Sequence, residues 1–573
     1  MQTHFASPPS GVEPSTPKAS LAGSIILLVI LWAMLFVVPL TTAQGTAPAP
    51  TLPVHVLHDF IAQANPMAPL VEGPDGDLYG VTPSGPGGAF EGTVFKMTPD
   101  GTFTTLVAFT DENAGHNGRN PAALVLGGDG RFYGTTFWGG SYGLGTVFTV
   151  TTNGTLSTLV HFDTRTGRTP TDLTLGGDGN FYGTTVSGGT DYDGAMFKVT
   201  TDGTWTTLAN FPSGASPGNL TLGRDGSFYG VTWSGGQGTL FRGAPDGALT
   251  TLGSFSWGNG PRPTARLTLG NDGNLYGTQI EGGSSRAGTV FRVTTGGALT
   301  TLVNFNSTNG ALPTGGLTLG GDGNFYGTTI YGGAFEGTVF KMTPDGTLTT
   351  LASFTSRLLG VRPYGGVTFG SDGSLYGTTI TGGSGDCGVI FRVDLPPTIV
   401  SQPASQTNLV GSTATFTVTA FGTKPFGYQW LKDGTILADG SNVAGASTTT
   451  LTLTSVQLQG AGNFAVVVTN PAGAITSSEA MLVVFSDSDG DGVPDDQDLC
   501  PGTGPGAVVD HYGCSIEQFV PCAGPATGGT WRNHGQFLAA LTATADAFLE
   551  AALITTEERA TVVRAAGRSD CGR

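Results

Sequence analysis

A chain of 573 residues is too long for a single hydrophobic core, so several domains are expected. Its 94 glycines and its charged fraction of 12% argue against a helical protein and are typical of short strands joined by tight turns. The formal net charge of −18 leaves few cations to cluster, which argues against a nucleic-acid partner and suits divalent cations and solubility outside the cell.

The N-terminus predicts export. Residues 25–38 form an unbroken apolar run, and small residues at 41–43 suit signal-peptidase cleavage before Gln44. We expect residues 1–43 to be a signal peptide or an N-terminal membrane anchor. Anchorage would use residues 25–40, and the long polar leader before the run keeps that alternative open. Residues 44–53 (QGTAPAPTLP) predict a linker.

Internal repeats dominate residues 54–394. A Tyr-Gly pair that follows an aromatic residue or a leucine recurs about every 50 residues, a spacing in the range of propeller blades. The tyrosines of these pairs are Tyr79, Tyr133, Tyr182, Tyr229, Tyr276, Tyr326 and Tyr376. A Gly-Thr-Val-Phe-Lys-like segment follows each pair. A Thr-Thr-Leu-x-x-Phe segment also recurs, as at residues 349–354.

Each unit predicts four short strands. In the sixth unit these are residues 316–319, 324–329, 337–343 and 347–354. Asp-Gly pairs separate the first two and the last two strands, and Asp-Gly supplies the positive φ values of a two-residue hairpin turn. Four antiparallel strands, repeated seven times, predict an all-β fold with a seven-bladed β-propeller over residues 54–394.

The start of the repeat region predicts how the propeller closes. Residues 54–60 (VHVLHDF) resemble the last strand of a unit, and no such strand follows the seventh unit. We expect this entering segment to complete the last blade and seal the ring, which removes the exposed edges of a linear array.

The repeats resemble the tandem GloVer (Gloeo/Verruco) repeats of exported bacterial proteins. In the sixth unit the resemblance is carried by residues 322–329 (DGNFYGTT), Gly332-Gly333, 337–341 (GTVFK) and 349–354. It implies a location outside the cytoplasm and no particular chemistry. The repeated tyrosines are expected to pack in the core or between blades, with a ligand ladder as the alternative.

Catalytic motifs are absent from the sequence of the repeats. The histidines there fall at unrelated positions, and neither a Gly-x-Ser-x-Gly elbow nor a His-Glu-x-x-His helix occurs. The acidic residues sit mostly in Asp-Gly turns, where turn geometry accounts for them. We therefore expect no enzymatic activity, although carboxylates from different blades could still meet in the fold.

Residues 398–485 resemble an I-set immunoglobulin-like domain. Trp430 is the expected core tryptophan of its third strand. The resemblance implies cysteines where Val418 and Val466 stand, so an apolar pair replaces the inter-sheet disulfide, and Phe464 occupies the corner-tyrosine position. We expect the domain to fold on its packing and to act as a spacer, with a binding role of its own as the alternative.

Residues 487–498 (DSDGDGVPDDQD) have the ligand spacing of a calcium loop. Ca²⁺ needs six to eight oxygens around one point, and a single loop can supply them here. The predicted metal ligands are Asp487, Asp489, Asp491, the Val493 carbonyl, Asp495 and Asp498. Gly492 permits the sharp turn. Mg²⁺ would fit less well, because it requires a tighter octahedron, and a solvated acidic run is the alternative.

The loop and the cysteines after it resemble a thrombospondin type 3 repeat over residues 486–515. The resemblance implies an extracellular calcium unit with a nearby disulfide, in which calcium stiffens a stalk. Four C-terminal cysteines allow three pairings, and proximity favours Cys500–Cys514 and Cys522–Cys571. Residues 522–573 predict a helical module that the second pair brackets, with one helix beginning near His534 and another after a Thr555–Glu558 capping box.

These features predict an exported binding or adhesion protein, extracellular or in the cell envelope, that presents a propeller on a calcium-stiffened stalk. Its ligand would be a glycan, a protein or matrix. An extracellular propeller enzyme acting on polysaccharide, as a lyase or hydrolase, is one alternative, and a purely structural envelope protein is another. Propellers host many functions, so the fold does not choose among them. The clearest irregularity, at residues 110–120, is interpreted as a binding loop or a decorated turn.

Overall fold

The computed structural model describes residues 51–572, apart from 62–63, 86–90, 110–116, 189–192, 234–237, 256–262, 264–265 and 334–335. The predicted signal peptide or anchor, most of the linker, and the first part of the irregular segment at 110–120 lie outside the described residues. Within the described ranges, no helix combines the length and the apolar character needed to span a membrane.

Seven antiparallel sheets follow one another through the described part of the repeat region. We number the sheets in chain order. In sheets 1 to 6, the four strands lie side by side in the order in which they occur along the chain. Sheet 1 consists of Val71–Glu72, Leu78–Thr82, Thr93–Met97 and Phe103–Ala108, and sheet 2 of Arg119–Leu126, Phe132–Trp138, Thr146–Val150 and Leu156–His161. Sheet 3 consists of Arg168–Pro170 with Thr174–Leu175, Phe181–Ser187, Ala195–Val199 and Trp205–Asn210. Sheet 4 consists of Pro217–Leu222, Phe228–Thr232, Thr239–Gly243 and Leu249–Ser254.

Sheets 5 and 6 repeat this plan, and sheet 7 takes its fourth strand from the start of the chain. Sheet 5 consists of Thr268–Leu269, Leu275–Gln279, Thr289–Val293 and Leu299–Asn304, and sheet 6 of Thr318–Leu319, Phe325–Thr329, Thr338–Met342 and Leu348–Ser353. Sheet 7 consists of Val361–Phe369, Leu375–Thr381, Val389–Val393 and Val54–Asp59. The strand order predicted for the sixth unit is confirmed.

The two middle strands of each sheet form the buried centre of the repeat region. In sheet 6, Phe325–Thr329 is buried at every residue, and Thr338–Met342 is buried at every residue except Lys341. The fourth strand, Leu348–Ser353, has a single buried side chain, that of Ala352. The sheets therefore bury their middle strands against one another and expose their fourth strands.

The repeated tyrosines pack between neighbouring sheets. The ring of Tyr133 stacks on Phe181 of the next sheet, with 4.1 Å between centroids, and Tyr182 stacks on Phe228 at 4.2 Å. Tyr276 lies 4.0 Å from Phe325 in the same way. Such aromatic pairs stabilise a core beyond the area that they bury. The prediction that these tyrosines pack rather than form a ligand ladder is confirmed.

Sheet 7 adjoins sheet 1. The entering strand Val54–Asp59 pairs antiparallel with Val389–Val393, as predicted for residues 54–60. Thr368 Oγ1 donates to the Leu70 carbonyl of sheet 1 at 2.6 Å, and Tyr376 packs in one apolar cluster with Leu78 of sheet 1. The first strands of sheets 1 to 7 contact one another in order, and that of sheet 7 contacts that of sheet 1.

The aspartate of each first hairpin turn does more than shape the turn. Its carboxylate accepts a hydrogen bond from the repeated tyrosine four residues on, with O–O distances of 2.7–3.0 Å in all seven sheets. Burial, reinforced by Asp272, raises the pKa of Tyr276 to about 12. In sheet 6 the Lys341 ammonium also donates to Asp322 at 2.8 Å.

These carboxylates are expected to make the repeats sensitive to acid. Burial tends to raise the pKa of Asp75, Asp178, Asp225, Asp272 and Asp322, but the hydrogen bonds that they accept lower it below its ordinary value of 3.8. A carboxyl with a lower pKa in the folded state stabilises the fold above its unfolded pKa, and the contribution is lost as pH falls through the folded pKa. Urea unfolding should give a lower free energy of unfolding at pH 3 than at pH 6. The decrease between these pH values should be smaller in Asp272→Asn than in the parent protein. Equal free energies of unfolding at both pH values would contradict this prediction.

The immunoglobulin-like domain follows the repeats. Its strands are Thr398–Ser401, Gln406–Leu409, Ala414–Thr417, Thr419–Phe421, Gly427–Lys432, Thr435–Ile436, Val443–Ala444, Thr450–Leu453, Gly462–Asn470, Gly473–Thr476 and Ala480–Phe485. Trp430 is fully buried, and its Nε1 donates to the Thr448 carbonyl at 2.9 Å. Val418, Val466 and Phe464 are buried in the same core, so the apolar replacement predicted for the disulfide is confirmed.

This domain is fixed to the Asp-Gly turn of sheet 7. The Lys424 N–H donates to the Asp372 carbonyl at 2.7 Å, and its Nζ donates to the Ser371 carbonyl at 3.0 Å. The ring of Phe421 lies 5.2 Å from that of Phe369. Polar and aromatic contacts together therefore fix the orientation of the domain on the repeats.

The C-terminal module contains helices Ile516–Phe519, His534–Glu550 and Thr556–Arg568. Asn533 caps the second helix, and Thr555 and Glu558 form the predicted capping box of the third. Phe537, Leu541 and Phe548 pack in its core. The structure pairs Cys500 with Cys514 and Cys522 with Cys571, as sequence proximity favoured, and the second disulfide brackets the longer helices as predicted.

Candidate metal centre

Three carboxylates converge in the loop between the immunoglobulin-like domain and the helical module. One oxygen each of Asp487, Asp489 and Asp491 can be chosen so that all three lie within 4.8 Å of one another. In the parts of the chain that the structure describes, this is the one group of three or more His, Cys, Asp or Glu side chains that could hold a metal ion. The first three predicted side-chain ligands are thus brought together.

Backbone amides hold these carboxylates in place. Asp487 accepts from the N–H groups of Gly490 and Gly492, at 2.7 and 2.9 Å. Gly492 has a φ of 96°, which a residue with a side chain adopts only with strain, so this position favours glycine. Asp489 accepts from the N–H groups of Gly502 and Thr503, at 2.6 and 2.7 Å. Backbone amides therefore fix the orientation of both carboxylates.

Asp491 supplies the test of whether a cation fits. Its Oδ1 accepts from the Val493 N–H at 2.9 Å, but its Oδ2 is buried and has no hydrogen-bond partner. Burial, and then the neighbouring charges of Asp489, Asp498 and Asp487, raise the pKa of Asp491. An unpartnered carboxylate oxygen beside like charges is costly, and a cation would remove that cost. Hard oxygen ligands suit Ca²⁺.

The remaining predicted ligands occupy different places. Asp498 lies beside the cluster: a Cβ on Gly513 would be 2.1 Å from Asp498 Oδ1 and 3.1 Å from Asp491 Oδ2, so both carboxylates lie against that glycine. Asp495 is not brought into the cluster, since both of its oxygens accept from Ser488, at 2.7 and 2.9 Å. The side chain of Val493 is buried, and the role of its carbonyl stays a prediction.

Sequence reasoning missed the groups that frame this centre from outside the loop. Gly502 and Thr503 hold Asp489, and Gly513 leaves room for two carboxylates. The Cys500–Cys514 disulfide joins the segments on which these residues lie. A glycine directly before the second cysteine was the available signal, since a side chain at that position would occupy the space of the ligands.

Two family models match this chain. The Gloeobacter/Verrucomicrobia repeat matches residues 41–237 and 212–391, and an immunoglobulin domain matches residues 396–470. No curated protein matches the chain.

Several solved structures are similar to parts of it. A streptogramin B lyase is 18% identical, with 60% of this chain and 97% of that chain covered and a TM-score of 0.43. A catalytically inactive virginiamycin B lyase from Staphylococcus aureus, bound to quinupristin, is 15% identical, with 60% and 99% covered and a TM-score of 0.44. An I-band fragment of titin is 30% identical, with 16% and 33% covered and a TM-score of 0.15.

The repeat model spans more than half of the chain, and the residues that it matches form the sheets described above. The chain therefore belongs to the Gloeobacter/Verrucomicrobia repeat family and carries an immunoglobulin-like domain after its repeats.

Proposed function

We propose that this protein is an exported cell-envelope binding or adhesion protein, which presents a closed seven-bladed β-propeller on a calcium-stiffened stalk. Support for the propeller comes from the seven sheets and from the pairing of Val54–Asp59 with Val389–Val393. Support for a location outside the cytoplasm comes from the disulfides, which persist in oxidising compartments.

The observation that carries the proposal is the carboxylate cluster of Asp487, Asp489 and Asp491, with its buried, unpartnered oxygen. The cluster lies where the chain passes from one folded module to the next. Extracellular calcium modules bind at 10⁻⁴ to 10⁻³ M, by order of magnitude, so a joint held in this way is filled outside the cell. Calcium would order the joint, and the propeller would then stand away from the point of attachment.

The fixed contact between the immunoglobulin-like domain and sheet 7 favours a stalk over a flexible tether. Lys424, Phe421 and Thr423 join the domain to the turn of sheet 7, which leaves the opposite ends of the sheets free of this contact. Those opposite ends carry exposed aromatic residues, including Trp233 and Tyr331. Exposed aromatic side chains on a rigid support are typical anchors of binding sites.

A binding screen tests the proposal. Residues 44–573 would be applied to arrays of glycans, proteins and matrix components, in calcium and in chelator, and beads coated with the protein would then be tested under flow. We expect a retained ligand, with bead adhesion that weakens in chelator. Cleavage of a polysaccharide without stable retention would instead support the enzyme, and neither retention nor cleavage would support a purely structural protein.

A further inference from the structure

The first strands of the sheets differ at one position, directly before a buried Leu or Val. Sheets 3, 4 and 5 place Asp172, Asn219 and Arg266 there. The corresponding residues of the other sheets are Pro69, Ala123, Gly316 and Gly366. Because the first strands of neighbouring sheets contact one another around the ring, this position lines its inner wall. Hydrogen-bonding side chains thus occupy one side of that wall and small or apolar residues the other.

The three polar residues are joined across sheets. Asn219 Nδ2 donates to Asp172 Oδ2 at 2.9 Å, and the Asp172 N–H donates to Asn219 Oδ1 at 3.3 Å. Arg266 Nε donates to the Leu220 carbonyl at 3.0 Å, and its Nη2 donates to the Leu173 carbonyl at 3.3 Å. The guanidinium of sheet 5 therefore reaches past sheet 4 to sheet 3, which fixes these side chains along the inner wall.

Among the residues that the structure describes, this network leaves hydrogen-bonding groups without a partner. Asp172 Oδ1 accepts from no described residue, and Arg266 Nη1 donates to none. Asn219 Nδ2 makes one hydrogen bond and can make a second. A carboxylate oxygen can accept from one hydroxyl group, while an amide N–H beside it donates to the neighbouring hydroxyl group. Such an arrangement suits a ligand with adjacent hydroxyl groups.

An exposed aromatic ring lies over the residue that precedes Asn219. Trp233 is 44% exposed, and its Nε1 lies 3.3 Å from where a Cβ on Gly218 would stand, so the indole lies over the first strand of sheet 4. Gly218 directly precedes Asn219. The face of an indole carries negative charge density and attracts the polarised C–H groups of a sugar ring. Ligand sites combine such apolar surfaces with a few placed polar groups.

We propose that Trp233, Asn219 and Asp172 form a subsite for one residue of a neutral glycan at the inner wall of sheets 3 and 4. The ring of the sugar lies against the indole of Trp233, and two adjacent hydroxyl groups bond to Asp172 Oδ1 and Asn219 Nδ2. Arg266 is a positioning residue that joins the three sheets. This inference rests on the proposed binding function and names the class of its ligand.

The test uses residues 44–573 and calorimetric titration with cellohexaose, xylohexaose, mannohexaose and chitohexaose. We expect at least one to bind, and we expect Trp233→Ala and Asn219→Ala each to weaken it by tenfold or more. Trp138→Ala is the matched control, since Trp138 is 45% exposed on sheet 2, and should stay within twofold of the parent. Trp233→Phe, which keeps an aromatic face, should recover part of the affinity. Unfolding curves of each variant identify any loss that is due to misfolding.

Two results would overturn the subsite. One is parent-like affinity in both Trp233→Ala and Asn219→Ala; the other is no binding to any of the four oligosaccharides. If the arrays still retain a protein or another glycan, the binding function stands while the subsite is rejected. Binding only to anionic glycans, with affinity that falls steeply with salt, would assign recognition to charge and would also reject the neutral subsite.

Discussion

A protein that begins at Ile61 is expected to be less stable than one that begins at Thr51, by about 5 kcal/mol, because it lacks the strand that completes sheet 7. The missing segment includes Phe60, which is buried beside Phe95 and Phe103 of sheet 1. Loss of a buried phenylalanine side chain alone costs about 3–5 kcal/mol. The edge of Val389–Val393 would also be exposed. Urea unfolding of both proteins measures the difference.

Phe60→Ala in the longer protein separates the contribution of the Phe60 side chain from that of the paired strand. This substitution removes the aromatic side chain but keeps the strand Val54–Asp59. The unfolding free energy of Phe60→Ala should therefore lie between that of the protein that begins at Ile61 and that of the protein that begins at Thr51. If the protein that begins at Ile61 unfolds at the same urea concentration as the longer one, the entering strand does not complete the ring.

Calcium is expected to stabilise the C-terminal region by about 2.7 kcal/mol when its free concentration is one hundred times the dissociation constant. Asp491→Asn should remove most of this increment, because it replaces a carboxylate in the predicted ligand set. In chelator, the expected effect of Asp491→Asn on stability is reversed. Asp491→Asn should then be at least as stable as the parent, because it removes a buried negative charge beside Asp489 and Asp487. Both effects are measured by thermal unfolding of the protein and by limited proteolysis within its residues 486–572, each with and without calcium.

Asp496→Asn is the matched control, since this exposed aspartate lies in the same loop and outside the cluster. It should keep the full calcium increment. Asp495→Asn tests the position that the structure places apart from the cluster. It removes the charge that strengthens the Ser488 hydrogen bonds, and this should lower stability equally with and without calcium. An Asp491→Asn protein that responds to calcium like the parent would contradict the assignment.

Most of the repeat fold could be predicted from the sequence, because its determinants are local. Asp-Gly pairs specify the turns, and the recurring Tyr-Gly and Gly-Thr-Val-Phe segments mark the buried middle strands. The entering strand was also predictable, since it has the pattern of the strand that sheet 7 lacks. Trp430 and the capping box at Thr555 and Glu558 were found for the same reason.

Contacts between distant segments could not be predicted. The hydrogen bond from each repeated tyrosine to the turn aspartate depends on how a hairpin folds back, and turn geometry alone already accounts for an aspartate at that position. Asp172, Asn219 and Arg266 belong to three units, and each is unremarkable within its own. In the acidic loop, spacing identified the three carboxylates at positions 1, 3 and 5 that the fold brings together, whereas the position of Asp495 depends on its hydrogen bonds to Ser488.

The closed ring is tested most directly by amide hydrogen exchange in the intact protein, because a backbone hydrogen bond within a sheet slows the exchange of the amide that donates it. If Val54–Asp59 completes sheet 7, its amides that bond to Val389–Val393 should exchange as slowly as those of Leu348–Ser353, the fourth strand of sheet 6. Exchange of Val54–Asp59 at the rate of an unstructured peptide, with slow exchange preserved in Leu348–Ser353, would contradict the closed ring.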